Sequence, residues 1–424
     1  MDEADLSRAH ELFSRFHEEF ASLFGRREAQ ERSWQYLCGL VVQASERRNA
    51  ENVAEAVEGA SSRTMQRFLT ESPWRHEPVI SALQGHLGKR LSAEQGVFIL
   101  DETCFPKQGR QSVGVNRQYC GTLGKVANCQ IGVFLAYATE QGYGLVDMRL
   151  YLPRGWNEDA ERRQQAGVPE NVIYRSKAEL ALAMLEQAHR GGDLAGHWVT
   201  ADEGYGEVPT LRDALDAGQW QYVLEVPRTT PVFTQPTKTE LPAWSGKGRK
   251  PTRPRLVEGE PTAQLVQQVA SAWPVERWQT LTVADGAQGP RTYQFAAQRI
   301  WESREGLPGR ACWLLVRRNV DGSELKYSLS NAPADTPLLT LGRVGATRWC
   351  IETAFQMTKG AIGLAEYEVR SWIGWHHHVT LALLAGAFLL TLQQEWGEKW
   401  RPADRPAGRP APARRPAAPR LVSC

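Results

Sequence analysis

Apolar residues along the first ninety positions recur at helical spacing. LSRAHELFSRFHEEFASLF carries Leu6, Leu12, Phe13, Phe16, Phe20 and Phe24 on one stripe, and a second helix is expected over Ser33 to Ser45. Two short helices broken at Gly59 follow, the second bearing Arg63 and Arg67, a layout that resembles a helix-turn-helix. From residue 96 the period shortens. GVFILDE, CQIGVFLAYAT and GYGLVDMRLYLP read as three successive strands, with Gly142 in the turn between the last two. SKAELALAMLEQAHR is an amphipathic helix stopped at Gly191 and Gly192, and HWVTADEGYG, VPTLRDALDAG and QYVLEV continue as strand, helix, strand. This order predicts an α/β domain, a mixed sheet flanked by helices.

Residues 228 to 310 break the rhythm with Pro231, Pro236, Pro242, Pro251 and Pro254, the basic run GKGRKPTRPR and scattered strand patterns, and are expected to form a β-rich insertion. ACWLLVRRN and LKYSLSNAP resume as strands. RWCIETAFQMTK then reads as a helix with Arg348, Glu352 and Lys359 on roughly one side. The apolar run Val379 to Leu392 is shorter than the about 20 residues needed to cross a bilayer and is expected to be a buried core helix. The predicted domains are therefore 1–92 (helical, DNA-binding), 93–227 and 311–397 (two parts of one catalytic domain), 228–310 (insertion) and a disordered Pro/Arg/Ala tail, 398–424.

Composition narrows this little. At 424 residues, 42% hydrophobic and 23% charged, the chain is globular, and its net charge of +2 means that any phosphate-binding surface is local. Seven scattered cysteines without a CxxC pair suggest a reducing cytosol, each a small buried hydrophobe. The run His376, His377, His378 is expected on a helix surface, and the charged first twenty residues exclude a signal peptide there.

The chemistry is expected at strand ends. Asp101 closes the first strand and Asp202 the fourth, where ligands bind in open α/β sheets. Taken singly, either could be a turn residue or helix cap, and Arg348 with Glu352 an ordinary i, i+4 ion pair. Taken together, two aspartates from adjacent strands call for a cation, Mg²⁺ by their oxygen chemistry, and Glu352 would complete a site for two ions about 4 Å apart suited to phosphodiester cleavage.

The order Asp101, Asp202, Glu352 resembles the DDE transposases of bacterial insertion sequences, whose catalytic domain is ribonuclease H-like. The β-rich insertion before the glutamate and the signature Y-(2)-R-(3)-E-(6)-K are similar to the IS-four-like superfamily; Arg348, Glu352 and Lys359 fit, and the tyrosine position falls on Gly345. DETCFPKQG, VGVNRQYCGTLGKVANCQIGVF, YEVRSW and WHHHVTLALLA resemble the IS-seven-hundred-and-one branch. The resemblance implies a bacterial cytoplasmic, nucleoid-associated enzyme that binds two Mg²⁺ or Mn²⁺ ions through the three acids, hydrolyses transposon ends and transfers the 3′-OH into target DNA. It further implies double-stranded DNA (terminal inverted repeats and target) as partner and a dimer in the active complex, with no membrane. Arg348, Lys359, Lys125 and Arg117 are then candidate phosphate contacts, Arg63 and Arg67 candidate N-terminal DNA contacts, and Trp244, Trp273, Trp278 and Trp301 candidates for base stacking. Asn128 and Gln130 are expected to bridge strands. A decayed copy acting only as a DNA-binding protein, and a nuclease without strand transfer, are the alternatives.

Overall fold

The computed structural model describes residues 3–42, 47–244, 246–286 and 289–397. The expected tail, 398–424, lies outside them. In chain order the elements are α1 (Glu3–Ala21), α2 (Arg27–Val41), α3 (Ala50–Ala56), α4 (Ser62–Thr70), α5 (His76–Leu91), β1 (Val97–Pro106), β2 (Asn116–Cys120), β3 (Lys125–Thr139), β4 (Gly142–Leu150), α6 (Arg154–Glu158), α7 (Ala160–Gln165) and α8 (Lys177–Gly191). They continue with β5 (Trp198–Ala201), α9 (Glu203–Gly206), α10 (Pro209–Ala217), β6 (Gln221–Val226), β7 (Pro231–Phe233), β8 (Thr239–Glu240), β9 (Arg255–Leu256), β10 (Gln264–Leu265) and α11 (Val266–Ser271). The last are β11 (Gln279–Gly286), β12 (Gly289–Arg304), β13 (Leu307–Arg318), β14 (Lys326–Ser330), α12 (Leu338–Ala346), α13 (Trp349–Met357) and α14 (Trp372–Trp396). The fold is α/β, a large mixed sheet flanked by helices with a helical N-terminal region.

The chain divides into two compact units. The first holds residues 1–96, 101–196 and 350 onward, the second 97–100 and 197–349, so β1 is shared.

In the first unit, local signals set the helix starts. Asn49 caps α3 by accepting the Asn52 amide, Ser61 and Thr64 form a reciprocal cap on α4, and Ser176 with Glu179 does the same on α8. β2 and β3 form an antiparallel hairpin, Cys120 opposite Lys125, and β3 pairs antiparallel with β4. The middle of this unit is α14, which packs against α1, α2, α4, α5 and β4. It is apolar on every side, and a helix of that kind has to be surrounded. The expected buried core helix is there, extended to 25 residues: it is long and apolar enough to span a membrane, but 83% of the most apolar window is buried inside the protein. One expectation is corrected. His376, His377 and His378 are buried too, rather than on a surface, because no side of α14 faces solvent there.

The second unit is built on the strand order β10-β7-β12-β13-β14-β6-β5-β1. β5 runs parallel to both β1 and β6; the remaining pairs are antiparallel, dominated by the long β12–β13 hairpin. One face of that hairpin buries Ile300, Cys312, Leu314 and Val316 against Val266, Val269 and Ala270 of α11. On the other face α12 approaches so closely that a Cβ on Gly342 would lie 3.3 Å from the Phe295 ring, and one on Gly345 3.1 Å from Val223. Gly345, where the resemblance expects a tyrosine, is tightly packed: a larger side chain there would start in contact with β6.

Candidate active site

Strand register fixes which residues follow the paired ends of the parallel strands. Leu100 pairs with Ala201 and Ala201 with Leu224, and the next residues along these three parallel strands are Asp101, Asp202 and Glu225. Asp101 is buried, and its Oδ1 accepts the Glu102 amide at 2.7 Å. Glu102 itself is tied to Lys177. Asp202 is the cap of α9: its Oδ1 accepts the Gly204 and Tyr205 amides at 3.0 and 3.3 Å. Oδ2 takes neither amide, so capping and ligation are compatible on one carboxylate.

In the second unit the acid that sequence reasoning missed is Glu225. It is buried between two cations, with Arg348 Nε 3.4 Å from Oε1 and Lys326 Nζ 3.7 Å from Oε2. Lys326 also reaches Glu203 at 3.9 Å. Arg348 therefore pairs across the fold to β6. Gly206 closes this corner: a Cβ there would lie 1.8 Å from the Glu225 carbonyl oxygen, so only glycine lets α9 sit against β6.

In the first unit α13 buries Ile351, Ala354 and Phe355, the Phe355 ring meeting Phe134 edge-on at 5.2 Å, and leaves Glu352 exposed. The expected helix does not run unbroken to Lys359. It widens to a π-helix over Thr358–Ile362, an irregularity common at functional sites, and Lys359 lies on it. Lys359 Nζ donates to Thr122 Oγ1 at 3.3 Å and approaches the Cys104 carbonyl at 3.5 Å. Burial holds its ammonium below the usual lysine range, opposed by attraction to Cys104, Cys120 and Asp101.

Residues 19–290 match the family described as DDE superfamily endonuclease. The chain belongs to that superfamily. It is also 23% identical over 349 residues, 82% of this chain and 77% of the relative, to a probable transposase for insertion sequence element IS701 from Microchaete diplosiphon. Among solved structures it is similar, at a TM-score of 0.42 and 12% identity, to a piggyBac transposase synaptic complex with hairpin DNA, over 92% of this chain and 73% of that one.

The remaining predicted residues of this DDE endonuclease are spread more widely. Arg117 and Lys125 are exposed on the β2–β3 hairpin. Asn128 donates to the Lys107 and Gly109 carbonyls, and Gln130 links Val113 to the Tyr367 hydroxyl; both tie β3 to neighbouring loops where bridging of strands was expected. Arg63 and Arg67 share the exposed face of α4, Arg67 paired with Glu71 at 2.7 Å. Of the four tryptophans only Trp244 is exposed (52%); Trp273 and Trp278 pack on the α11 core, and Trp301 is half-buried in β12. Stacking instead involves arginines: Arg291 lies 4.0 Å from the Trp349 ring, Arg318 3.9 Å from Trp278 and Arg317 4.5 Å from Tyr293. These pairs combine residues far apart in sequence, and no local pattern announces them.

Among the described residues no group of three or more His, Cys, Asp or Glu side chains converges as a ready-made metal cage. The donor chemistry of Asp101, Asp202 and Glu352 nonetheless fits Mg²⁺ or Mn²⁺: these are hard oxygen ligands, and Mg²⁺ takes one or two carboxylates and completes its shell with water and substrate phosphate.

Proposed function

We propose that this DDE endonuclease is an insertion-sequence transposase that hydrolyses the phosphodiester at its element's ends and joins the freed 3′-OH to target DNA. The observation that carries the reading is the parallel register in which Leu100 and Ala201 pair and an aspartate follows each. The likeness to an IS701 transposase over most of both chains supports the transposition half. Asp101, Asp202 and Glu352 would hold the divalent metal, which supplies charge stabilisation at the scissile phosphate when bound.

The chain's own cations position the DNA. Arg348 forks onto a backbone phosphate after exchanging Glu225 for it, and Lys359, raised on the π-helix, supplies a point charge. Arg117 and Lys125 follow the backbone, Arg63 and Arg67 contact the terminal repeat, and exposed Trp244 stacks on a base. Two copies act on paired ends.

The test is cleavage of a labelled duplex carrying the element's terminal repeat, in Mg²⁺. Asp101→Asn, Asp202→Asn and Glu352→Gln should each abolish cutting while end binding by gel shift persists; a variant that still cuts removes its residue from the site. A precut end offered with target plasmid should give joined product, and cutting without joining would make the protein a nuclease.

A further inference from the structure

Beside Lys359 in the first unit is a cluster of sulfur that the proposed chemistry does not use. Cys104 of β1, Cys120 at the end of β2 and Cys129 of β3 are all buried and, with Ile131, form a small core of their own. The Cys104 and Cys120 sulfurs are 2.8 Å apart, about 0.8 Å beyond the length of a disulfide bond of about 2.05 Å. Both are free thiols. Cys104 Sγ also accepts from the Thr122 amide and donates to the Thr122 hydroxyl, each at 3.2 Å. What covers the pair is thin: the 3₁₀ turn Gly121–Leu123 and Gly124 are exposed, and Gly124 takes a left-handed conformation (φ +62°) with nothing packed within 4 Å.

We propose that Cys104 and Cys120 form a reversible dithiol–disulfide pair, with Cys104 as the attacking sulfur, Cys120 as the resolving one and a peroxide as the oxidant. The two sulfurs differ in the right sense. Burial pushes Cys104 up, but the Cys120 thiol, Thr122 and the Lys359 ammonium outweigh it and hold Cys104 below the ordinary thiol range, while burial and the Cys104 charge push Cys120 up. Cys129, pushed up to about 12 by burial, is the least reactive of the three. The Cys104 sulfur attacks the peroxide, breaking its O–O bond, and the proton of the Cys104 thiol goes to the departing hydroxide, leaving a sulfenic acid and one water. The Cys120 sulfur then attacks Cys104; the S–S bond forms, the S–O bond breaks, and hydroxide leaves with the Cys120 proton as a second water. Two sulfurs are oxidised and one peroxide is reduced to two waters. The new bond ties the turn to β1 and fixes both oxygens that Lys359 faces, the Cys104 carbonyl and the Thr122 hydroxyl.

The experiment is a peptide map of the full chain treated with hydrogen peroxide, with remaining thiols alkylated before denaturation and trypsin applied without reductant. Leu91–Lys107, Gln118–Lys125 and Val126–Arg149 each carry one of the three cysteines, so the partner is read from mass. The expected product is Leu91–Lys107 joined to Gln118–Lys125 at their summed mass less two hydrogens, lost on adding dithiothreitol and retained in Cys129→Ala. Cys120→Ser should instead leave a Cys104 sulfenic acid trapped by dimedone. A Cys104–Cys129 link, or a folded wild-type chain in which no linked peptide forms, overturns the proposal; the wild-type map decides by itself if the Cys120 variant does not fold.

Discussion

Gly206→Ala places one methyl group against the backbone that supports the acids. Its Cβ would lie 1.8 Å from the Glu225 carbonyl oxygen and 2.9 Å from the carbonyl carbon, whereas real Cβ atoms keep at least 3.0 Å. β6 cannot yield, because it is paired on both sides, with β5 and with β14. α9 must therefore retreat by about 1.2 Å, and Asp202 caps that helix, so the displacement reaches the carboxylate. Overpacking of this kind costs about 1–3 kcal/mol, more than the roughly 0.5–1 kcal/mol that alanine ordinarily gains over glycine in a helix. A misplacement of about 1 Å at a reacting group lowers rate on the order of 100-fold. The expected result is a lower urea midpoint together with a larger loss of end cleavage, measured below the unfolding transition. Gly204→Ala is the control, since its Cβ would meet only the Asp202 carboxylate, at an ordinary 3.4 Å. If Gly206→Ala unfolds at or above the wild-type midpoint, the close approach of α9 to β6 is refuted, and with it the argument that glycine is required there.

Glu302→Gln should destabilise by about 3–5 kcal/mol in urea unfolding, because it leaves the charge of Arg212, buried on α10 with its Nε 3.0 Å from Glu302, without its counter-ion; a loss below about 1 kcal/mol, the surface-pair value, would contradict the buried pairing. Gln130→Leu should cost about 1–3 kcal/mol by stranding the Tyr367 hydroxyl proton and the Val113 carbonyl, with Asn128→Leu, at a more exposed position, costing less. Acid should weaken the fold through His17 and His378, whose burial lowers each to about 4 from 6.5. The unfolded chain then takes up protons that the folded one refuses, so stability is full above about 6.5 and falls as pH drops toward 4, by on the order of 3 kcal/mol per histidine. Urea midpoints at pH 7.5 and 4.5 measure the fall, and a flat profile would contradict it.

What could be read from the chain alone was whatever repeats locally. GVFILDE and HWVTADEGYG announced the strand ends, and the structure pairs Leu100 with Ala201 there. The helices of the first ninety residues followed from Phe13, Phe16 and Phe20, all buried. Long-range partners were not legible. Glu225 lies in QYVLEV, read as a strand with nothing in its pattern to single out the acid, and only the register of β6 and the position of α12 reveal that it meets Lys326 and Arg348. The histidine run misled because a period of 3.6 assumes one wet face, and α14 has none. The π-helix at Thr358–Ile362 had no signal in spacing, since one extra residue per turn is invisible until the hydrogen bonds are seen.

The enclosure of α14 sets a timetable for synthesis. The apolar stripes of α1, α2, α4 and α5 close on a helix that begins at Trp372, so on the ribosome they wait for about 280 further residues beyond Leu91, roughly 15–55 s at bacterial elongation rates. During that interval Phe13 and Phe16 lack the Phe388 ring that each meets in the folded chain, and the nascent chain is expected to depend on holding chaperones. Slowing translation between α5 and α14 should lengthen that dependence, and supplying the α14 segment in trans should shorten it.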